Sequence, residues 1–404
     1  MRHLLLGALS LLVIGAGVYS YGQLSTSAPN FQWTAQELAT LNSLKSNPNP
    51  ATDASNRYLH NAAAADLGQH LFFDKRFSRN AQIACASCHQ PDKQFADGLA
   101  VASALATGTR NTPSLLGVAK QHWFFWDGRK DSLWSQALAP WENPLEHGFT
   151  RTEAVKLLLS DAQYASQYQT VFKSALPSEV PQRLTQAATP LGDLAQLQAW
   201  KQLPDTTRQQ VDQVYANMGK ALAAYMATLQ TPPSRFEHYL QQLNQAETHV
   251  STLNTQELAG ARLFVGKAQC ILCHSGAQLS NLGFQNIGSG VIGKDSGRAA
   301  VLDELRVDRF NCLGRFSDAK AEQCAELNYM TRDRHSVLGA FKVPSLRNVA
   351  HTAPYFHDGR FASLEKVLAY YVSVSHDATL EKDLPPINLS ADEQRQLVAF
   401  LKTL

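Results

Sequence analysis

Cys85-Ala86-Ser87-Cys88-His89 and Cys270-Ile271-Leu272-Cys273-His274 repeat one chemical pattern twice in this chain. In a C-x-x-C-H stretch two thiols can add across the vinyl groups of a haem, and the adjoining histidine turns back to ligate the iron. The spacing has a mechanical reason: two thioethers fix the macrocycle against a short helical turn, so the next imidazole falls under the metal. A zinc or redox CxxC pair followed by a chance histidine is the alternative, and two complete copies in an exported chain argue against it. The expectation is two covalently bound c-type haems, held by Cys85, Cys88, Cys270 and Cys273, with His89 and His274 as proximal ligands.

The elements that must position these turns are themselves duplicated. At a constant offset of 231, Pro113-Ser114-Leu115 matches Pro344-Ser345-Leu346, and Phe125-Trp126-Asp127-Gly128-Arg129 matches Phe356-His357-Asp358-Gly359-Arg360. Val118-Ala119 with Val349-Ala350, and Ser132-Leu133 with Ser363-Leu364, continue the register. A helix-like stretch ending Gly-x-x-Leu-Phe precedes each haem motif, at Gly68 to Phe72 and Gly260 to Phe264. Strand-like alternation is scarce, so the fold class is mainly α, two tandem cytochrome c-like domains with one covalent haem each. Asn254-x-x-Glu257 and Ser390-x-x-Glu393 read as capping boxes that start helices. A proline-punctuated helical region over 151–245 bridges the units, which the reading bounds at 53–245 and 250–404.

Length and composition agree. The 404 residues suffice for two domains, and 44% hydrophobic content supplies a core for each. A net charge of +2, with no basic run, excludes a nucleic-acid footprint. Arg2 followed by an apolar run from Leu4 to about Val18 reads residues 1–27 as a secretory signal and places the protein in the periplasm. An uncleaved membrane anchor is the alternative, although the run is short against the roughly 20 apolar residues of a span. Cys312 and Cys324, the two cysteines outside the haem motifs, most simply pair as a disulfide in that oxidising compartment. The haem motifs are 185 apart while the shared segment repeats at 231, so the second copy carries 46 extra residues. That insertion, about 290–335, holds both spare cysteines and reads equally as a partner-contact surface or as a passive cover.

The ordered motifs, Arg110-Asn111-Thr112-Pro113, Phe125 to Arg129, Asn143-Pro144-x-Glu146, Val343 to Asn348 and Pro354 to Gly359 around the two CxxCH turns, resemble the bacterial di-haem cytochrome c peroxidase and MauG superfamily. The resemblance runs from about residue 60 to the C-terminus. It implies that the distal positions are Pro140 for the first haem and Tyr371 for the second, which the offset of 231 also pairs. Proline offers no ligating atom, whereas a tyrosinate oxygen binds ferric iron; Tyr370 is the competing tyrosine. The first haem is thus expected to be open to hydrogen peroxide and the second closed by His274 and Tyr371. The resemblance further implies Glu146 as the distal acid-base group, with Gln136 and Pro140 in the same pocket and Glu142 as its nearest competitor. It also makes Trp126 the indole between the haems, which a plain reading would call core beside Trp123, Phe124 and Phe125. Asn111, Thr352 and Pro354 match positions that hold a calcium ion between the domains, and His357 lies in the same motif.

Tyrosine rather than methionine at 371, and the lack of a histidine over Leu99 to Arg110, point the resemblance toward the MauG-like branch. There, peroxide equivalents are stored as a high-valent di-haem state and used to oxidise residues, tryptophan above all, of a partner protein. The Cys312 to Cys324 insertion resembles the MbnH-like members, whose partner is a copper-binding protein. The competing readings are a cytochrome c peroxidase that reduces peroxide to water with electrons from a small cytochrome or cupredoxin, and a non-catalytic electron carrier.

Overall fold

The computed structural model describes residues 31–173, 179–245, 252–290 and 294–404; the expected signal segment, 1–27, lies outside them. The chain is mainly helical, and its two strands, Phe284–Gln285 and Phe341–Lys342, are only two residues each and pair antiparallel. No helix among the described residues is long and apolar enough to cross a membrane.

The internal repeat is visible in the backbone. Ser132 and Ser363 each accept a hydrogen bond from the amide three residues on, starting the helices Leu133–Glu142 and Leu364–Ser375. Ahead of them, Phe125 and Phe356 both take positive φ, 65° and 76°. The bridges Phe124 to Lys130 and Tyr355 to Phe361 close the same short loop in each copy. Both glycines of the Gly-x-x-Leu-Phe stretches mark close helix crossings. A Cβ on Gly68 would strike the Ala221 carbonyl of the helix Asp205–Met226, and one on Gly260 would strike the Gln396 carbonyl of Ala391–Leu401. Asn254 with Glu257 and Ser390 with Glu393 form reciprocal capping boxes, where the sequence places them.

Apolar side chains gather into two main cores and one small cluster. The first core runs from Ala51 to Ala227 and includes the stacked pair Phe77 and Trp141. The second joins Phe236, Leu258, Phe264, Leu368 and Phe400. Two assignments follow no local pattern. Helix Ala35–Ser43 and helix Arg235–Asn244 send Leu41, Phe236, Tyr239 and Leu240 into the second core, although both precede the expected joint. Phe310 and Phe316, from the insertion in the second copy, lie in the first core.

Polar ties fasten the insertion to the first core as well. Lys220 and Asp318 pair at 2.7 Å and Arg309 meets Asp212 at 2.9 Å, while within the insertion Cys312 is disulfide-bonded to Cys324. The Cys312 amide donates to Asp131 Oδ2 at 2.7 Å, while Oδ1 of that carboxyl is buried without a partner. Burial pushes the Asp131 carboxyl up to about 6. Because the folded value exceeds the unfolded one, near 3.9, the stabilisation is complete below about pH 4 and is lost as pH rises through about 6. A shift of that size corresponds to about 3 kcal/mol. Asp131→Asn is therefore expected to flatten the thermal midpoint between pH 4 and 6 and to raise it at pH 7. An unchanged slope in that window would count against the assignment.

Candidate active site

Cys85–Cys88 forms a single helical turn, and His89 closes it by donating its backbone amide to the Cys85 carbonyl at 2.9 Å. The second motif repeats this contact from His274 to the Cys270 carbonyl at 2.8 Å. In each case the imidazole Nδ1 faces a carbonyl, Phe95 for His89 and Leu279 for His274, both at 2.9 Å. Phe95 and Leu279 adopt positive φ, 57° and 49°, which turns those carbonyls toward the rings. With Nδ1–H donating, the lone pair is on Nε2, the tautomer a metal-ligating histidine needs. Burial lowers the pKa of both imidazoles, that of His274 to about 4, so both are neutral.

Both histidines line one continuous cavity of about 1220 Å³. That exceeds the roughly 300–1,000 Å³ of a single small-molecule site. Cys85, Cys88, Cys270 and Cys273 are all free thiols, and burial pushes Cys85 and Cys270 up to about 12. Four unpaired thiols in two pairs, two oriented neutral imidazoles and a shared cavity of this size fit two haems c.

Across the cavity the two copies differ. Gln136 and Pro140, on the helix Leu133–Glu142, line it beside His89 and Glu146. Asn143 donates its side-chain amide to Glu146 Oε1 at 2.6 Å, holding the carboxylate after the helix has ended. Burial raises the Glu146 pKa, and the nearby Arg129 charge opposes that rise. Glu142, one helical turn earlier, is spoken for: it pairs with the fully buried Arg151 at 2.8 Å and accepts from Thr189. In the second copy Tyr371 lines the cavity with His274, and burial beside the Cys270 and Cys273 thiols pushes its phenol well above the usual range. Tyr370 instead donates its hydroxyl to the Ile287 carbonyl at 2.9 Å.

Trp126 also lines the cavity, and its indole N–H donates to the Asn111 carbonyl at 2.9 Å. Each end of that contact is tied to the second copy: Asn111 N–H donates to the His357 carbonyl at 2.7 Å, and Lys342 N–H donates to the Trp126 carbonyl at 2.8 Å. Arg110 reinforces the joint, pairing with Asp127 at 2.5 Å and bidentately with Asp295 at 3.0 Å. His357 is buried and stacks on Phe341 with ring centroids 3.7 Å apart. Asn111, Thr352 and Pro354 line the same cavity; Asn111 donates its amide to the Leu99 carbonyl at 2.8 Å, leaving Oδ1 as its acceptor. Their oxygens are neutral donors of the kind calcium accepts.

Sequence reasoning missed Lys342, whose side chain lines the cavity and reaches Gln121, and whose amine burial lowers to about 8. The offset of 231 from Asn111 lands on Lys342 and was the available signal. It also missed Arg298, for which no local pattern exists.

Residues 62–245 match the sequence profile described as di-haem cytochrome c peroxidase. Methylamine utilization protein MauG of Methylorubrum extorquens is 31% identical over 84% of this chain and 77% of its own length. Cytochrome c551 peroxidase of Nitrosomonas europaea is 29% identical over 85% and 80%. Among solved structures, a MauG-like protein associated with microbial copper homeostasis superposes with a TM-score of 0.61 at 24% identity, covering 89% of this chain and 93% of its own. The diheme peroxidase BthA of Burkholderia thailandensis reaches 0.62 at 19% identity, over 89% and 94%, a likeness of fold. Two cysteine-histidine turns facing one cavity fit the di-haem oxidoreductases acting on hydrogen peroxide that these relatives represent. The chain belongs to the di-haem cytochrome c peroxidase family that includes MauG.

Proposed function

We propose that this protein is a MauG-like enzyme that spends the two oxidising equivalents of hydrogen peroxide on aromatic residues, tryptophan first, of a partner protein. The observation that carries this reading is the asymmetry at one repeat position. Pro140 and Tyr371 stand 231 residues apart on equivalent Ser-capped helices, and both line the cavity. When bound, haem c supplies the iron that accepts peroxide oxygen and stores its oxidising equivalents. The chain's residues do the rest. His89 and His274 would hold the two irons, Pro140, with no ligating atom, would leave the first open to peroxide, and Tyr371 would close the second. Glu146, oriented by Asn143, takes the proton from the proximal oxygen of peroxide and returns it to the leaving one, while Gln136 shares that pocket. Trp126, fixed by Asn111, carries charge between the two sites. Asn111, Thr352 and Pro354 would hold a calcium ion beside this joint.

The two copies act as an N-terminal peroxidatic domain, 53–245, and a C-terminal electron-transfer domain, 250–404, which exchange packing through helix Arg235–Asn244 in the second core and Phe310 and Phe316 in the first. The protein works in the periplasm after export by residues 1–27. The likeness to a MauG-like protein associated with copper homeostasis, and the disulfide-closed insertion, support a copper-binding partner.

The test is electron paramagnetic resonance of the ferric protein before and after one equivalent of peroxide, with no reductant. Native protein is expected to lose both ferric signals together, and Tyr371→Phe to keep one of them; Tyr370→Phe is expected to behave as native. Persistence of one low-spin ferric signal in native protein, with activity only after prior half-reduction, would make it instead a peroxidase fed by a small redox protein.

A further inference from the structure

Two tryptophans three residues apart occupy opposite electrostatic settings. Their Cα atoms lie within about 11 Å, the reach of three extended residues. Trp126 lines the cavity and its N–H faces the Asn111 carbonyl at 2.9 Å, a dipole that stabilises positive charge on the indole. Trp123 is buried just behind it, in the small cluster where Val301, Leu305 and Leu327 of the insertion pack with Phe284 and Cys312. That cluster continues outward to Met330, and its neighbour Tyr329 is 88% exposed. A route for oxidising equivalents from the cavity into the insertion thus begins at Trp123.

Arg298, itself 2% exposed, sits across that route. Its guanidinium carbon is 4.0 Å from the Trp123 ring centroid and 4.3 Å from that of Phe284. It donates to the Gly128 carbonyl at 2.5 Å, and no carboxylate lies within ion-pair distance of it among the described residues. Only the longer-range fields of Asp127 and Glu326 oppose its charge, which falls on the indole face. A neutral indole is attracted to a cation there, but an indole that has lost an electron is repelled by it. At 4 Å and an effective dielectric constant of about 20, that repulsion disfavours the oxidised ring by about a thousandfold.

We infer that Arg298 is an electrostatic gate: it keeps Trp123 from being oxidised and so confines the oxidising equivalents to Trp126 and the cavity. This rests on the proposed peroxide chemistry and gives the insertion a task inside the enzyme. Without the gate, and without a partner to oxidise, the leak is a hydroxylation. Two electrons leave the Trp123 ring, a water supplies the oxygen as one indole C–H becomes C–OH with release of two protons, and peroxide takes up those electrons and two protons to leave as two waters.

The experiment treats haem-loaded native protein, Arg298→Gln and Arg298→Lys with hydrogen peroxide in the absence of reductant and partner, then maps Trp123 oxidation by peptide mass spectrometry. Arg298→Gln is expected to raise hydroxylated Trp123 at least tenfold, and Arg298→Lys, which keeps the charge, to stay near native. Equal Trp123 oxidation in native protein and Arg298→Gln overturns the gate. Trp123→Phe covers the case in which Arg298→Gln fails to fold: it is expected to leave the self-oxidation pattern of the other residues intact. If it redistributes that pattern, Trp123 is a relay and the gate is overturned. Adding Glu146→Gln to Arg298→Gln separates the two levels. Loss of the Trp123 signal supports the gate and its source in the cavity, whereas persistence shows that the oxidation arises elsewhere and removes the peroxide reading beneath it.

Discussion

Glu146→Gln is expected to slow the reaction with hydrogen peroxide by about 10²–10⁴-fold, the usual contribution of a positioned acid-base group. Glutamine keeps the shape of the side chain and an oxygen that can accept from the Asn143 amide, 2.6 Å away in the native protein. What it cannot do is hold a proton and give it back. The pH dependence supplies a second readout. Burial holds the Glu146 carboxyl above its ordinary value of 4.5, and the proton-accepting form is the carboxylate. The native rate should therefore fall as pH drops through that raised value and level off above it, while Glu146→Gln should be low and flat. Stopped-flow mixing with peroxide across pH 4 to 8 measures both. A variant with the native rate and the native pH profile would remove Glu146 from the chemistry.

The second large effect concerns stability. Arg151 is almost fully buried, as are the two carboxylates it pairs with, Glu142 at 2.8 Å and Asp212 at 2.5 Å. The rings of Trp200, Tyr215 and Phe310 surround it at 5.2, 5.1 and 4.8 Å. Arg151→Met preserves most of the apolar packing but leaves buried Glu142 without a cation and buried Asp212 with only the exposed Arg309, and breaking such a set costs about 3–5 kcal/mol. That is a large part of the roughly 5–15 kcal/mol by which a domain is stable. The urea midpoint, followed by circular dichroism, should drop accordingly. Adding Glu142→Gln and Asp212→Asn should restore most of it, because the variant then buries no unpaired charge. A single-variant loss below about 1 kcal/mol would show that water reaches the carboxylates.

Much of this site is legible in the chain because its chemistry is local or repeated. The CxxCH turns need only five consecutive residues, and the offset of 231 aligns Ser132 with Ser363 and Pro140 with Tyr371 without any structure. Glu146 and Glu142 illustrate the limit. They stand four residues apart at one helix end, and what separates them is that Glu142 ends the helix facing Arg151, while Glu146, held by Asn143 beyond it, lines the cavity. Arg151, Asp212 and Arg309 are scattered over more than 150 residues, so their pairing leaves no periodicity to read. The same holds for Arg298 on Trp123 and for Leu41 in the second core. Long-range packing chose these partners after local rules had fixed the helices.

Phe310 and Phe316 have a bearing on how the protein is made. They complete a core whose other members end at Ala227, so a chain emerging N-terminus first cannot finish its first half until most of its second half exists. Non-local closure of this kind is slow. Until the insertion arrives, Trp134 and Tyr215 lack the ring of Phe310 that meets them in the finished fold, so the first half depends on the second for its last packing.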